Sequence, residues 1–183
     1  KLKYQNLIKN LDEIPFPDRE IIKRDLYYPP PTKRVSNFKA TSIVTSRGCV
    51  FHCTYCIATQ MWRHKVRYRS VENVIEEIDL CVNKYGLAEF NIHDEWFTIN
   101  KERTIELCKK IVDNKLDIAW VCMGRVHPLD EELLIWMKKA GCKKINFGFE
   151  SGAQKILDNI KHQTTIEQGL KAAELCHKVG IKI

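Results

Sequence analysis

Between Thr41 and Ile183 the chain alternates short β-branched or apolar runs with longer segments of helical periodicity, and that alternation limits the folds open to it. The first run is Thr41 to Ser46. A helix follows Ser70 as N-cap, with Val71, Val74, Ile75, Ile78 and Val82 on one face and Gly86 as its stop. A second strand spans Ala88 to His93, after which Asn100 caps a helix carrying Ile105, Cys108, Ile111 and Val112. A third strand, Ile118 to Met123, precedes Asp130, which caps the helix of Leu133, Leu134, Met137 and Ala140, closed by Gly141. The fourth strand is Lys144 to Phe149. Thr164 and Thr165, followed by Glu167 and Gln168, open the last helix with a capping box. That helix ends near Gly180, and Ile181 to Ile183 begins a fifth strand.

Repeated βα units call for a parallel sheet with helices outside it, either a barrel or a doubly wound sheet. No G-x-G-x-x-G follows the first strand, which removes the best support for a dinucleotide fold. The predicted class is therefore α/β, with parallel βα repeats forming a partial TIM-type barrel. A closed eight-unit barrel takes about 250 residues. The 183 residues here are expected to form an incomplete one, truncated around the fifth strand, with a cut edge open to self-association.

Ahead of this pattern, Pro15, Pro17, Pro29, Pro30 and Pro31 crowd into the first stretch of chain. Residues 1–40 read as a Pro-rich arm or linker leading from an upstream domain, and residues 41–183 as the core domain. The Pro29-Pro30-Pro31 run predicts a stiff extended piece, and the pattern near Leu2 to Asn10 fits a short amphipathic helix. With 44% hydrophobic and 29% charged residues the chain can build a real core. No apolar run approaches the ~20 residues a membrane span needs, and no signal peptide opens the chain. The expected location is the cytoplasm, with the eight cysteines as reduced thiols rather than disulfides. A net charge of +7 permits an anionic partner, but 30 Lys and Arg are scattered among 23 acids. That reads as a solvated surface and argues against a nucleic-acid groove.

The chemistry lies in the loop after the first strand, Ser46-Arg47-Gly48-Cys49-Val50-Phe51-His52-Cys53-Thr54-Tyr55-Cys56. Its cysteines are spaced C-x3-C-x2-C. Iron–sulfur clusters are held by cysteine thiolates, usually four, and the next cysteine, Cys81, is a helix away. A cluster on Cys49, Cys53 and Cys56 alone keeps one iron open, which implies chemistry rather than electron storage. A zinc knuckle completed by His52 or His64, gripping nucleic acid, is the rival; an electron-transfer protein would need a fourth thiolate close by. In parallel βα folds the loops after the strands share one active face. Here they hold Arg47, Gly48 and the cysteines, then Asp94, Glu95 and Trp96, then Gly124, Arg125 and His127, then Glu150, Ser151 and Gly152.

The C-x3-C-x-aromatic-C loop, with Tyr55 before Cys56, resembles that of radical S-adenosylmethionine (SAM) enzymes. The remaining stretches resemble the branch of that superfamily that also carries a cobalamin-binding domain. These are Glu13 to Arg19, Thr45 to Cys49, Arg67 to Ser70, His93 to Phe97, Ala140 to Cys142 and Phe147 to Gly152. The resemblance implies a [4Fe-4S] cluster on Cys49, Cys53 and Cys56, whose open iron takes the amino and carboxylate groups of SAM. One electron then cleaves the sulfonium to a 5′-deoxyadenosyl radical, which abstracts hydrogen from an unactivated carbon.

It further implies a cobalamin-dependent methyltransferase or an anaerobic ring-forming cyclase, or a methylthiotransferase, which shares a similar Glu-Ser-Gly-Ala stretch. Cobalamin is implied for the full-length protein only, in a domain preceding the barrel. The substrate would be a small or lipid-like molecule, and the reductant a protein such as flavodoxin or ferredoxin. Tyr55 would lie beside the cluster with its backbone near the adenine. Asp94 and Glu95 would hold the amino group of the cofactor's methionine end, and Arg125 would anchor a carboxylate bidentately. Glu150 and Ser151 would touch the ribose or methionine end. No residue is singled out as catalytic. Cys81, Cys108, Cys122, Cys142 and Cys176 are expected to be small core residues.

Overall fold

A computed structural model describes residues 7–23, 30 and 34–183. The expected helix near the start and the triple-proline piece lie largely outside the described residues. The elements that follow are β1 (Lys39–Ile43), β2 (Ser46–Arg47), α1 (Ala58–Trp62), β3 (Arg67–Tyr68) and α2 (Val71–Asn83). Next come β4 (Leu87–Ile92), α3 (Lys101–Asp113), β5 (Ala119–Gly124), α4 (Glu131–Lys139), β6 (Cys142–Phe147), α5 (Gln154–Asn159) and α6 (Ile166–Val179). Strands β1, β4, β5 and β6 pair in that order, all parallel, as an open, unclosed barrel wall. The partial barrel expected from the βα alternation is what forms.

Helix starts follow the side chains that can accept an unsatisfied backbone N–H. Ser70, Asn100 and Asp130 each accept from the third residue of their helix, and Thr165 and Gln168 form the reciprocal capping box. Helices α2, α3, α4 and α6 lay their apolar faces on one side of the sheet. Val74, Ile78, Leu107, Cys108, Ile111, Leu134, Met137 and Cys176 meet Phe90, Ile92, Trp120, Cys122 and Ile145 there. Cys81, Cys108, Cys122, Cys142 and Cys176 are all fully buried, as small core residues are.

The second and third strands are each offset by one residue from the sequence expectation, and the first strand begins two residues earlier, at Lys39; three further differences have a structural reason. The first strand ends at Ile43, and Ser46-Arg47 leaves the sheet to pair antiparallel with Arg67-Tyr68. The fourth strand is Cys142–Phe147 rather than Lys144–Phe149. Gly141, at φ 94°, completes the turn out of α4, so Cys142 already pairs with Trp120, while Glu150 at φ 58° bends the far end away. The fifth strand is reduced to one bridge between Lys144 and Lys182.

The described parts of the arm pack against the sheet and α2. Arg19 donates to Thr41 Oγ1 (3.2 Å) and to the Ser42 carbonyl (3.1 Å) on the outer side of β1, and to Glu77 of α2 (2.6 Å). Glu77 is 1% exposed and accepts from Arg69 on its other oxygen. Further along the arm, the Val35 and Ser36 N–H groups donate to the buried Glu89 carboxylate of β4 (3.2 and 2.8 Å). On the opposite edge, Lys182 exchanges backbone bonds with Lys143 and Ile145 beside β6. Both sheet edges are therefore partly covered, which blunts the edge-to-edge pairing expected of a cut sheet.

Candidate active site

The cysteine loop lies where the strand ends converge, braced by residues far away in sequence. Its start is held by Asp94, directly after β4. Asp94 is 0% exposed. It accepts from Thr45 N–H (2.7 Å), Thr45 Oγ1 (2.6 Å) and Ser46 Oγ (2.7 Å). Burial raises its pKa, and those donors oppose the rise. Glu95 spans the loop: one oxygen accepts from Gly48 N–H (2.8 Å), the other from Trp62 Nε1 in α1 (2.5 Å). Trp96 packs beneath, its ring 5.1 Å from that of Phe51. Both carboxylates, expected to hold the amino group of the cofactor's methionine end, are engaged here by N–H and O–H donors of Thr45, Ser46, Gly48 and Trp62.

Cys53 is 7% exposed, and Cys49 and Cys56 are half-buried. Thr54 N–H donates to the Ile160 carbonyl (3.0 Å), tying the loop to the turn after α5. Val50, Tyr55, Ile57 and Met61 leave an apolar rim exposed around it. Arg125, one residue beyond β5, reaches the cysteines: Nη1 is 3.9 Å from Cys53 Sγ, and Nη2 donates to the His162 carbonyl. Burial pushes the Cys49 thiol up, with a Phe51 backbone N–H and the Arg125 charge pulling it down.

Beyond β6, Glu150 lies opposite Tyr55. Partial burial and a hydrogen bond to Glu150 raise the Tyr55 pKa. The Glu150 carboxylate oxygen sits 2.5 Å from where a side chain on Gly148 would begin, so a larger residue there would push the carboxylate aside. Ser151 Oγ is occupied in part by Ala153 N–H (3.1 Å). His162, which the sequence reading passed over, is buried here with Nδ1 2.6 Å from Thr164 Oγ1. Burial and the Arg125 charge keep its pKa below the usual histidine value. Its only sequence signal was its place two residues before Thr164, at the start of the last helix.

The donor set suits an iron–sulfur cluster. Three thiols share one loop, and each iron of a cluster takes its own thiolate, so the ligands stand apart. The half-buried guanidinium of Arg125 lies beside them, and its buried Nε has no hydrogen-bond partner among the described residues. Such a cation matches the negative charge of thiolate-bound iron. His52 and His64, the imidazoles a zinc knuckle would enlist, stack on each other at 3.8 Å.

Comparison with known proteins bears on the same loop. Residues 43–183 match the Radical SAM superfamily. The chain belongs to that superfamily of enzymes. An uncharacterized methyltransferase of Pyrococcus horikoshii is 34% identical over 96% of this chain and 37% of its own length. The anaerobic magnesium-protoporphyrin IX monomethyl ester cyclase of Rubrivivax gelatinosus is 35% identical over 95% of this chain and 31% of its own. The radical SAM methyltransferase TsrM of Kitasatospora setae, solved with cobalamin and a [4Fe-4S] cluster, superposes with a TM-score of 0.71. It is 20% identical, over 79% of this chain and 30% of that one, and so attests the fold. The radical SAM chain described here spans about a third of the length of these relatives. Among the described residues no helix is long and apolar enough to cross a membrane.

Proposed function

We propose that this chain is the catalytic core of a radical SAM enzyme that binds a [4Fe-4S] cluster on Cys49, Cys53 and Cys56 together with SAM. The observation that carries the reading is the three-cysteine loop at the C-terminal ends of the parallel strands, with Cys53 buried under a guanidinium that has a donor to spare. When bound and reduced by one electron, the cluster and SAM supply a 5′-deoxyadenosyl radical for hydrogen abstraction. The protein supplies placement. Asp94 and Glu95 position the loop through Thr45, Ser46, Gly48 and Trp62. Tyr55, Glu150 and Ser151 form the flank assigned to the nucleoside and methionine end. The apolar rim of Val50, Ile57 and Met61 limits water once a ligand covers it.

The relatives point to the reaction class. Their names describe a methyltransferase and a ring-forming cyclase, and a methyltransferase with cobalamin bound shares the fold. The full-length enzyme is accordingly assigned to cobalamin-linked methylation or anaerobic cyclisation of a small or lipid-like molecule, in the cytoplasm, with a flavodoxin- or ferredoxin-type reductant. Residues 41–183 are assigned as its core domain and residues 1–40 as the arm that joins it to another domain. Anaerobic reconstitution with iron and sulfide, followed by electron paramagnetic resonance (EPR), tests the assignment. About four irons per chain, and a spectrum that changes when SAM is added, are expected. Zinc uptake in place of iron, or an iron signal indifferent to SAM, would refute it.

A further inference from the structure

We propose that Arg125 sets the reduction potential of the cluster bound by Cys49, Cys53 and Cys56, an inference that rests on the reading above. Arginine on a loop is ordinarily a solvated charge, free to reorient. Arg125 is held on three sides. Its Nη1 lies 3.9 Å from Cys53 Sγ, its Nη2 donates to the His162 carbonyl, and its guanidinium carbon stands 3.7 Å from the Phe51 ring centroid. The Trp96 ring closes a second face at 6.0 Å. Both terminal nitrogens are thus engaged by the protein, leaving Nε as the nitrogen without a partner among the described residues. A fork whose two ends are already used is poorly placed to grip a carboxylate bidentately, which was the role expected from sequence.

What remains fixed is the position of a permanent positive charge against a ligand sulfur. Reduction adds one electron to the cluster, supplied by an external ferredoxin- or flavodoxin-type donor, and makes it more negative. Arg125 is itself neither oxidised nor reduced. A cation held next to Cys53 stabilises the more negative state more strongly, and its half-buried setting between the Phe51 and Trp96 rings limits screening by water. Hydrogen bonds to cluster sulfurs and net charge are established levers on iron–sulfur potentials. Phe51 belongs to the cysteine loop itself, so the loop that holds the ligands also holds the charge that tunes them.

The test compares wild type, Arg125→Gln and Arg125→Lys after anaerobic reconstitution, with iron content measured for each. Midpoint potentials are read without SAM, by mediated titration followed by EPR. Arg125→Gln is expected to shift the one-electron equilibrium at least ten-fold toward the oxidised cluster, equivalent to about 59 mV more negative. Arg125→Lys should fall between the two. An unchanged midpoint in Arg125→Gln overturns the proposal. If its spectral response to added SAM is lost as well, Arg125 is instead a cofactor anchor. Should Arg125→Gln fail to hold iron, Arg125→Lys and Phe51→Leu decide the matter, and wild-type midpoints in both overturn the proposal. A wild-type chain that takes up no iron refutes the cluster reading and this assignment together. Iron-loaded chains of equal potential refute the assignment of Arg125 alone.

Discussion

Gly48→Ala should disable the cysteine loop while leaving the barrel wall standing. Gly48 sits at φ 116°, where an L side chain is strained whatever space surrounds it. Such positions cost of order 1–3 kcal/mol for a non-glycine residue. Space is lacking too: a Cβ there would stand 1.9 Å from the Lys65 carbonyl oxygen and 2.9 Å from its carbon. Both atoms are backbone, so no side chain can swing aside. Restoring an ordinary contact requires the Lys65 segment to recede by about 1.5 Å, parting Arg47 from Arg67 in the ribbon. It also pulls the Gly48 N–H from Glu95, a charge-assisted bond worth ~1.5–3 kcal/mol.

The combined loss, about 2.5–6 kcal/mol, is a large share of the total stability of many domains, yet it falls on a ribbon outside the four-stranded sheet. The expected result is a chain of near-native circular dichroism that retains little iron after reconstitution. Gly86→Ala is the control. At φ 64° with nothing within 4 Å, it carries only the ~1 kcal/mol of left-handed strain. If Gly48→Ala loads iron like wild type and matches Gly86→Ala in denaturant, the steric argument fails.

Two further perturbations probe the scaffold. Glu77→Ala leaves Arg19 and Arg69 facing each other with no buried counter-charge; a loss of ~3–5 kcal/mol is expected, and a urea midpoint within error of wild type would contradict it. Asp130→Ala removes the acceptor for Leu133 N–H (2.9 Å) and the partner of Lys101 (2.7 Å), costing ~1 kcal/mol near neutral pH. Burial alone would raise the Asp130 pKa, but the Leu133 N–H and Lys101 outweigh it and the net shift is downward. A carboxyl with a lowered folded-state pKa stabilises above its ordinary range and loses that contribution as pH falls through the lowered value. The gap between wild type and Asp130→Ala should therefore close in acid, and a gap independent of pH would count against the cap.

Much of the fold was legible because its signals are local. Ser70, Asn100, Asp130 and Thr165 announce helix starts by side-chain chemistry alone, and each caps the helix expected of it. Strand ends were less legible, since they depend on turn geometry and on pairing with distant residues, as at Gly141 and Cys142. Helix α5 escaped notice because Ala153 offers no side-chain cap and the helix is only 6 residues long. The β2–β3 ribbon pairs two residues with two, too short to leave a pattern.

The candidate site divides in the same way. The cysteines declare themselves by spacing, but what Asp94, Glu95 and Arg125 touch is set by tertiary contact. Asp94 is joined to Thr45 across 49 residues of sequence, Glu95 to Gly48 across 47, and Arg125 to Cys53 across 72. No local pattern encodes those separations. Residues at the ends of β4 and β5 thereby take up the polar groups of the cysteine loop, which would otherwise be free to reorient. Precise ligand placement requires that kind of support from rigid elements. In this architecture the second and third strand ends and the turn after α5 brace the loop, and the segment after β6 faces it from the other side. Glu150, whose Oε1 reaches to within 2.5 Å of the Gly148 Cβ position, and Tyr55, 54% exposed, mark that open side.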